Sequence, residues 1–265
     1  MDNEETTTPM LKEAVPTRVA AGSKGMSIRQ RRVITLAALA TTLSLFLYFL
    51  PTGTRLALVK SIFEQRTILI VLMLFTLLTL SLVWSAGQRF DAWLFLYVNL
   101  RGYHPRWLDG FMWLMTQLGS FGFALLLAVS LLLYHMRRAA VVLLLGMLTL
   151  WLFVEAVKAL TDRSRPFTLL EKARVVGWKA IGLSFPSGHT SQAFFLATFI
   201  SRHFQLGLGF TALLYVIAVL VALTRIYVGA HYPRDVTAGA LLGTVWGVIS
   251  VLVDAYLLHL NSPLP

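Results

Sequence analysis

Seven stretches of the chain, at 33–50, 67–86, 119–135, 139–160, 187–202, 207–224 and 236–258, are strongly apolar, carry little charge and show no strict alternation. Each comes near the roughly 20 residues that carry a helix across a bilayer core. Backbone groups inside lipid must find their hydrogen bonds within the protein, which restricts spanning segments to helices and closed barrels. Continuous apolar runs without a period of two select the helix. The expected fold is therefore all-α, an integral membrane helical bundle. Composition agrees: 57% of the 265 residues are hydrophobic and 13% are charged, so a separate soluble domain is not expected.

The runs divide the chain. Residues 1–32 read as a flexible polar and basic tail containing Arg29, Arg31 and Arg32. Residues 33–66 hold an extra N-terminal hydrophobic helix and its connection; 33–50 is longer than the core of a cleaved signal and reads as a retained span. Residues 67–258 form the main bundle, and 259–265 a short C-terminal tail. Between the second and third runs, 87–118 mixes Trp93, Tyr97, Tyr103, Trp107 and Trp113 with Arg89, Asp91, Arg101, Arg106 and Asp109. That pattern predicts short helices in the headgroup region.

The basic connections 134–139 and 201–207 are expected on the cytoplasmic side by the positive-inside rule. Segments 161–186 and 225–235 then share the opposite, non-cytoplasmic face. Counting seven spans backward puts the N-terminus outside, whereas Arg29, Arg31 and Arg32 favour the cytoplasm. Either 33–50 does not fully cross or the tail is translocated against its charge, and seven spans is the reading taken here. In the last run Gly239, Gly243 and Gly247 recur every four residues, a packing face for a neighbouring helix. The net charge of +11 favours anionic headgroups or an anionic substrate over nucleic acid. The absence of Cys excludes disulfides, thiolate catalysis and Cys-ligated metals.

Three polar segments interrupt the apolar pattern on the same predicted face. In KALTDRSRPF (158–167), Lys158 and Arg165 are seven residues apart and would share a side of a continuing helix, although Pro166 biases Arg165 out of it. Both could equally be anchors at a helix end. In PSGH (186–189), Pro186 and Ser187 mark a helix start where Ser187 can cap. Gly188 leaves the first amides open to an anion, and His189 lies in the first turn. In TRIYVGAHYPRD (224–235), Arg225 follows an apolar helix and Asp235 stands four residues after His231. It could fix the imidazole tautomer or simply cap the last helix. Glu155 reads as a local ion pair for Lys158, and Asp254 and His259 carry no assigned chemistry.

Together these residues suit phosphoryl transfer without an obligatory metal. Neutral His231 would attack phosphorus in line. Lys158, Arg165 and Arg225 would offset charge on the equatorial oxygens, and His189 would protonate the departing oxygen. Residue chemistry alone leaves open which imidazole attacks.

The three segments resemble the signature of the type 2 phosphatidic acid phosphatases (PAP2), KxxxxxxRP, PSGH and (S)RxxxxxHxxxD. They match in order, with Thr224 where Ser is frequent. The resemblance covers roughly 67–258 and implies a six-helix core, here with one extra N-terminal helix. It also implies His231 as nucleophile, His189 as acid and base, Asp235 as partner of His231, and Lys158, Arg165, Ser187, Gly188 and Arg225 as the phosphate cradle. The implied activity is hydrolysis of a lipid phosphomonoester or diphosphate, such as undecaprenyl diphosphate, phosphatidic acid or phosphatidylglycerol phosphate. Its partners would be that lipid and membrane lipids, with no cofactor, no metal and no obligatory protein partner. The expected place is a bacterial cytoplasmic membrane, with the site on its outer face. Lys172, Arg174 and Lys179 in 167–185 read as a solvated loop or a basic rim for a headgroup. The alternative function is an anionic-lipid transporter or flippase whose basic and His cluster binds headgroups in passing. A binding or scaffold protein that has lost turnover, and a soluble vanadate-dependent haloperoxidase, fit the intact motifs and the composition less well.

Overall fold

A computed structural model describes residues 64–101 and 103–261, together with isolated positions between 30 and 60; side chains are described to residue 255. The tail 1–32 and the run 33–50 lie essentially outside the described residues. What is described is all-α. Eight helices of more than two turns follow one another: α1 (Arg66–Leu80), α2 (Ser85–Leu100), α3 (Arg106–Thr116), α4 (Phe121–Leu133), α5 (Arg137–Thr161), α6 (Gly188–His203), α7 (Leu208–Tyr227) and α8 (Pro233–Asn261).

Among the described residues, four segments are long and apolar enough to cross a membrane: Arg66–Val83, Arg137–Leu169, Leu208–Tyr227 and Pro233–Ala255. They correspond to the runs expected at 67–86, 139–160, 207–224 and 236–258. The run at 119–135 differs from expectation. Its helix α4 has only 13 residues and meets Arg106–Gly119 at a 56° bend, so the two form at most one broken span. The run at 187–202 also differs: α6 has 16 residues, ten of them buried, and Thr190, Ser191, Gln192, Thr198 and Ser201 are among those ten. A helix enclosed by other helices faces protein rather than lipid, and so tolerates polar residues.

The apolar surface lies where a lipid-facing belt requires it. Met73 and Leu77 on α1, Leu126 on α4, Leu145 on α5, and Val216 and Leu223 on α7 are exposed. Inside, small side chains such as Ala124, Ala128, Ala139 and Ala140 sit among Phe185, Phe195 and Phe199. The α6–α8 contact explains the glycine spacing. A Cβ at Gly239 would stand 2.7 Å from the Ser187 carbonyl oxygen, one at Gly243 would overlap the Ser191 carbonyl oxygen, and one at Gly247 would stand 2.6 Å from Thr198 Cβ.

Helices α2 and α3 occupy the segment expected to hold short interfacial helices, but α2 is not merely an amphipathic surface helix. Asp91, Phe95 and Asn99, spaced four apart, form its buried face. Asn99 donates to the carbonyls of Arg174 (2.9 Å) and Tyr227 (2.8 Å) and accepts from Arg174 N–H (2.8 Å), tying the α5–α6 connection to the end of α7. Arg174 is accordingly not a free rim cation, because it pairs with Asp109 at 2.7 Å and lies over the Tyr227 ring. At the opposite end of the bundle Arg138 and His203 converge on Asp254, at 2.5 and 3.1 Å.

Candidate active site

The chain reverses direction three times to build the site. Helix α5 runs toward it, α6 starts there, α7 ends there and α8 starts there. The three polar segments are the connections and termini at this one end.

Helix α5 stops earlier than Pro166 requires. Asp162 takes φ 50°, a left-handed position that Asp tolerates better than most side chains, and Arg165 is extended at φ −77°, ψ 156°. Lys158 and Arg165 are thus brought together by a chain turn and not by helical phase. Lys158 donates to Glu155 at 2.7 Å. Its ammonium also lies 4.0 Å from where a Cβ on Gly188 would be, which puts it over the start of α6.

Ser187 precedes α6 at the N-cap position, but its side chain does not cap the helix. Its hydroxyl instead accepts from Thr190 Oγ1 at 3.0 Å, and its N–H donates to the Asp235 carbonyl at 2.9 Å. The expected capping role is corrected: the buried Ser187 knits α6 to α8. The first amides of α6 have no intrahelical acceptors, an arrangement that suits an anion. His189 follows in the first turn, within electrostatic reach of Arg225, His231, Lys158 and Arg165. Gly119 makes room beneath it, since a Cβ there would overlap the His189 carbonyl oxygen.

Arg165 is held in a fixed pose. Its guanidinium donates to the carbonyls of Gly182 (2.9 Å), Ile181 (3.1 Å) and Ala230 (3.0 Å), and its Nη1 lies 3.1 Å from His231 Nε2. A guanidinium has only donors, so Nε2 is the acceptor and the ring proton belongs on Nδ1. Nδ1 faces Asp235 Oδ2 at 3.6 Å, beyond a direct hydrogen bond, and has no other partner among the described residues. His231 is 2% exposed. Burial pushes its imidazole down to about 3, an effect that Arg165 and Arg225 add to and Asp235 opposes. Arg225, also buried, donates to Thr116 Oγ1 at 2.7 Å.

Asp235 does more than either sequence reading supposed. One oxygen, Oδ2, accepts from Ser184 Oγ at 2.5 Å and from the Tyr232 N–H at 2.9 Å. The second of these bonds is the N3 half of a capping box on α8. The other oxygen, Oδ1, accepts from Arg163 at 2.5 Å.

Sequence reasoning missed Arg163, Asp91, Ser184 and Arg234. Arg163 bridges Asp235 to Asp91, and Arg234 donates to Asp91 through Nε at 2.8 Å. A signal existed for Asp91, because it shares the four-residue stripe of Phe95. None marked Arg163 apart from its place two residues before Arg165.

Comparison with known proteins assigns the chain to a family. The PAP2 superfamily model matches residues 139–258. The chain is 27% identical to an undecaprenyl-diphosphatase of Sulfolobus acidocaldarius over 195 residues, 70% of this chain and 90% of that protein. The crystal structure of LpxE from Aquifex aeolicus superposes with a TM-score of 0.54 at 33% identity, covering 60% of this chain and 93% of that one. The structure of the first transmembrane PAP2-type phosphatidylglycerolphosphate phosphatase from Bacillus subtilis gives a TM-score of 0.60 at 26% identity, with 74% and 98% coverage. The fold and the matched motifs define an integral membrane phosphatase. The chain belongs to the PAP2 superfamily and is a lipid phosphatase.

Proposed function

We propose that the chain hydrolyses a lipid diphosphate or phosphomonoester through a phosphohistidine on His231, with undecaprenyl diphosphate the leading substrate. The relative matched over most of both chains carries that name; phosphatidic acid and phosphatidylglycerol phosphate are the next candidates. The observation that carries the mechanism is the arrangement of Arg165 on His231 Nε2 with Nδ1 turned to Asp235. It leaves the lone pair of a neutral imidazole on the side of the cations.

In the first half-reaction Nε2 forms a bond to the terminal phosphorus while the bond from that phosphorus to the oxygen that stays with the lipid breaks, the bridging oxygen of a diphosphate or the ester oxygen of a phosphomonoester. That oxygen takes a proton from His189. Lys158, Arg165, Arg225 and the first amides of α6, together with Ser187 and Gly188, hold the non-bridging oxygens. In the second half-reaction His189 takes a proton from water, whose oxygen displaces Nε2 and releases phosphate. Negative charge on the substrate is met throughout by side-chain cations, so turnover needs no added divalent metal. The core of this activity is 67–258, in a bacterial cytoplasmic membrane with the site on the outer face.

A panel of lipid phosphates and diphosphates assayed with a chelator tests the proposal. Phosphate release from at least one of them is expected, together with a loss of about 10³-fold or more on His231→Ala, the scale seen when a nucleophile is removed. A 32P-labelled, acid-labile adduct is expected in the unsubstituted protein and absent from the variant. Retained turnover in His231→Ala sinks the mechanism. Lipid translocation that survives this substitution, with no hydrolysis by either form, indicates a carrier instead.

A further inference from the structure

We infer that Arg163 is a positioning residue for the reaction, coupling Asp91 on α2 to the Asp235–His231 pair, so that the site extends beyond its three motifs into α2. The inference rests on the reading of His231 as nucleophile.

The geometry sets the case. Arg163 is 8% exposed, and both carboxylates that it bridges are fully buried. One terminal nitrogen donates to Asp235 Oδ1 at 2.5 Å. The other donates to Asp91 Oδ2 and, at 3.1 Å, to Gln88 Oε1. The guanidinium plane lies 4.4 Å from the centre of the Tyr232 ring, and Tyr232 adjoins His231 in sequence. Even its backbone takes part, since the Arg163 carbonyl accepts from Ser184 N–H at 2.7 Å and Ser184 in turn donates to Asp235. Asp91 is completed by Arg234, so two carboxylates face two guanidiniums and the buried cluster is neutral.

Asp235 therefore has one oxygen clamped by Arg163 and the other by Ser184 and Tyr232. Rotation about its terminal bond is blocked, and Oδ2 stays on the side of His231 Nδ1. The clamp also lies behind the reaction's charge change. When Nε2 bonds to phosphorus the ring becomes cationic, and Asp235 stabilises it only while held in that orientation. Asp91 lies outside the segment that the family model covers, and it orients Arg163 from the far side. The charged and titratable groups facing the His231–Asp235 pair are Arg163 and Arg165 from the α5–α6 connection, His189 from α6, Arg225 from α7, and Tyr232 beside them. Removing Arg163 takes one cation from this set.

The test is steady-state kinetics of the full chain on one lipid substrate, normalised to folded protein by thermal unfolding. Arg163→Gln is expected to lower kcat by about 10- to 100-fold, as loss of a residue orienting a catalytic group does, with KM changed less than about threefold. With one cation gone, His231 takes up a proton more readily. The acid limb of kcat therefore moves to higher pH than in the unsubstituted enzyme on the same substrate. Arg163→Lys restores part of kcat, because an ammonium supplies the charge without the two-sided fork. Asp91→Asn, which leaves Arg163 and Asp235 in place, lowers kcat in the same direction, and it serves as the reading if Arg163→Gln does not accumulate folded.

Unchanged kcat and pH profile in these variants overturns the inference. So does a loss that follows only the folded fraction. If His231→Ala is dead while Arg163→Gln is normal, Arg163 alone is reassigned; if His231→Ala turns over, the parent mechanism falls with it.

Discussion

His231 has almost no water around it and cations on two sides, and that determines how acid affects the protein. Burial and the neighbouring Arg165 and Arg225 hold its imidazole down to about 3 against the pull of Asp235, whereas in the unfolded chain it titrates near 6.5. Below pH about 6.5 the unfolded state takes up a proton that the folded state refuses, so stability is lost progressively as pH falls toward 3. Thermal unfolding of His231→Asn between pH 7.5 and 4.5 is expected to show a shallower fall of Tm than the unsubstituted protein; equal slopes would refute this account. Lys158, Arg165, Ser187, Gly188, His189, Arg225, His231 and Asp235 were all legible in sequence, because each sits in a short segment with a local signature. Arg163 was not, since its meaning depends on carboxylates 72 residues away in either direction along the chain, and no local pattern encodes such a pairing.

Among the helices, α6 and α8 both start beside the site, and the glycine face of α8 sets their separation. A Cβ at Gly243 would meet backbone at Ser191, which cannot rotate away. Gly243→Leu is therefore expected to cost about 1–3 kcal/mol or more through overpacking, read as a lower Tm in detergent. It should also lower kcat in the fraction that remains folded, because Ser187 N–H and the Asp235 carbonyl are joined across the same interface. Normal kcat with a lowered Tm would show that the site tolerates the displacement. The spacing of Gly239, Gly243 and Gly247 made this packing legible in advance. The weak points of the sequence reading were α6 and the α3–α4 bend. A buried central helix needs neither the length nor the apolarity of a lipid-facing one, and a break at Ser120 leaves no charge or Pro to mark it.

For the molecule as a whole, all the site residues gather at one end of the bundle, and Arg138, His203 and Asp254 gather at the other. The chain has no Cys, which makes single introduced cysteines clean reporters of sidedness. Lys179→Cys, in the connection beside the site, should react with an impermeant maleimide in intact cells. Gln205→Cys, in the α6–α7 turn, should react only after permeabilisation. The reverse pattern would place the site in the cytoplasm.

The α5–α6 connection holds Arg165 through the backbone carbonyls of Ile181 and Gly182, while the side chains of Trp178 and Ile181 stand exposed, Ile181 at 95%. Every amino acid supplies a carbonyl, so the loop's grip on Arg165 does not depend on the side chains of Trp178 and Ile181, whereas Gly182, at φ 84°, occupies a left-handed position that favours glycine. Its outward side chains are therefore free to drift over evolutionary time without loosening the anion cradle. On the proposed mechanism, a fold arranged in this way keeps the outward side chains of the connection apart from the groups that would handle the phosphate, so substitutions among them would leave the chemistry untouched.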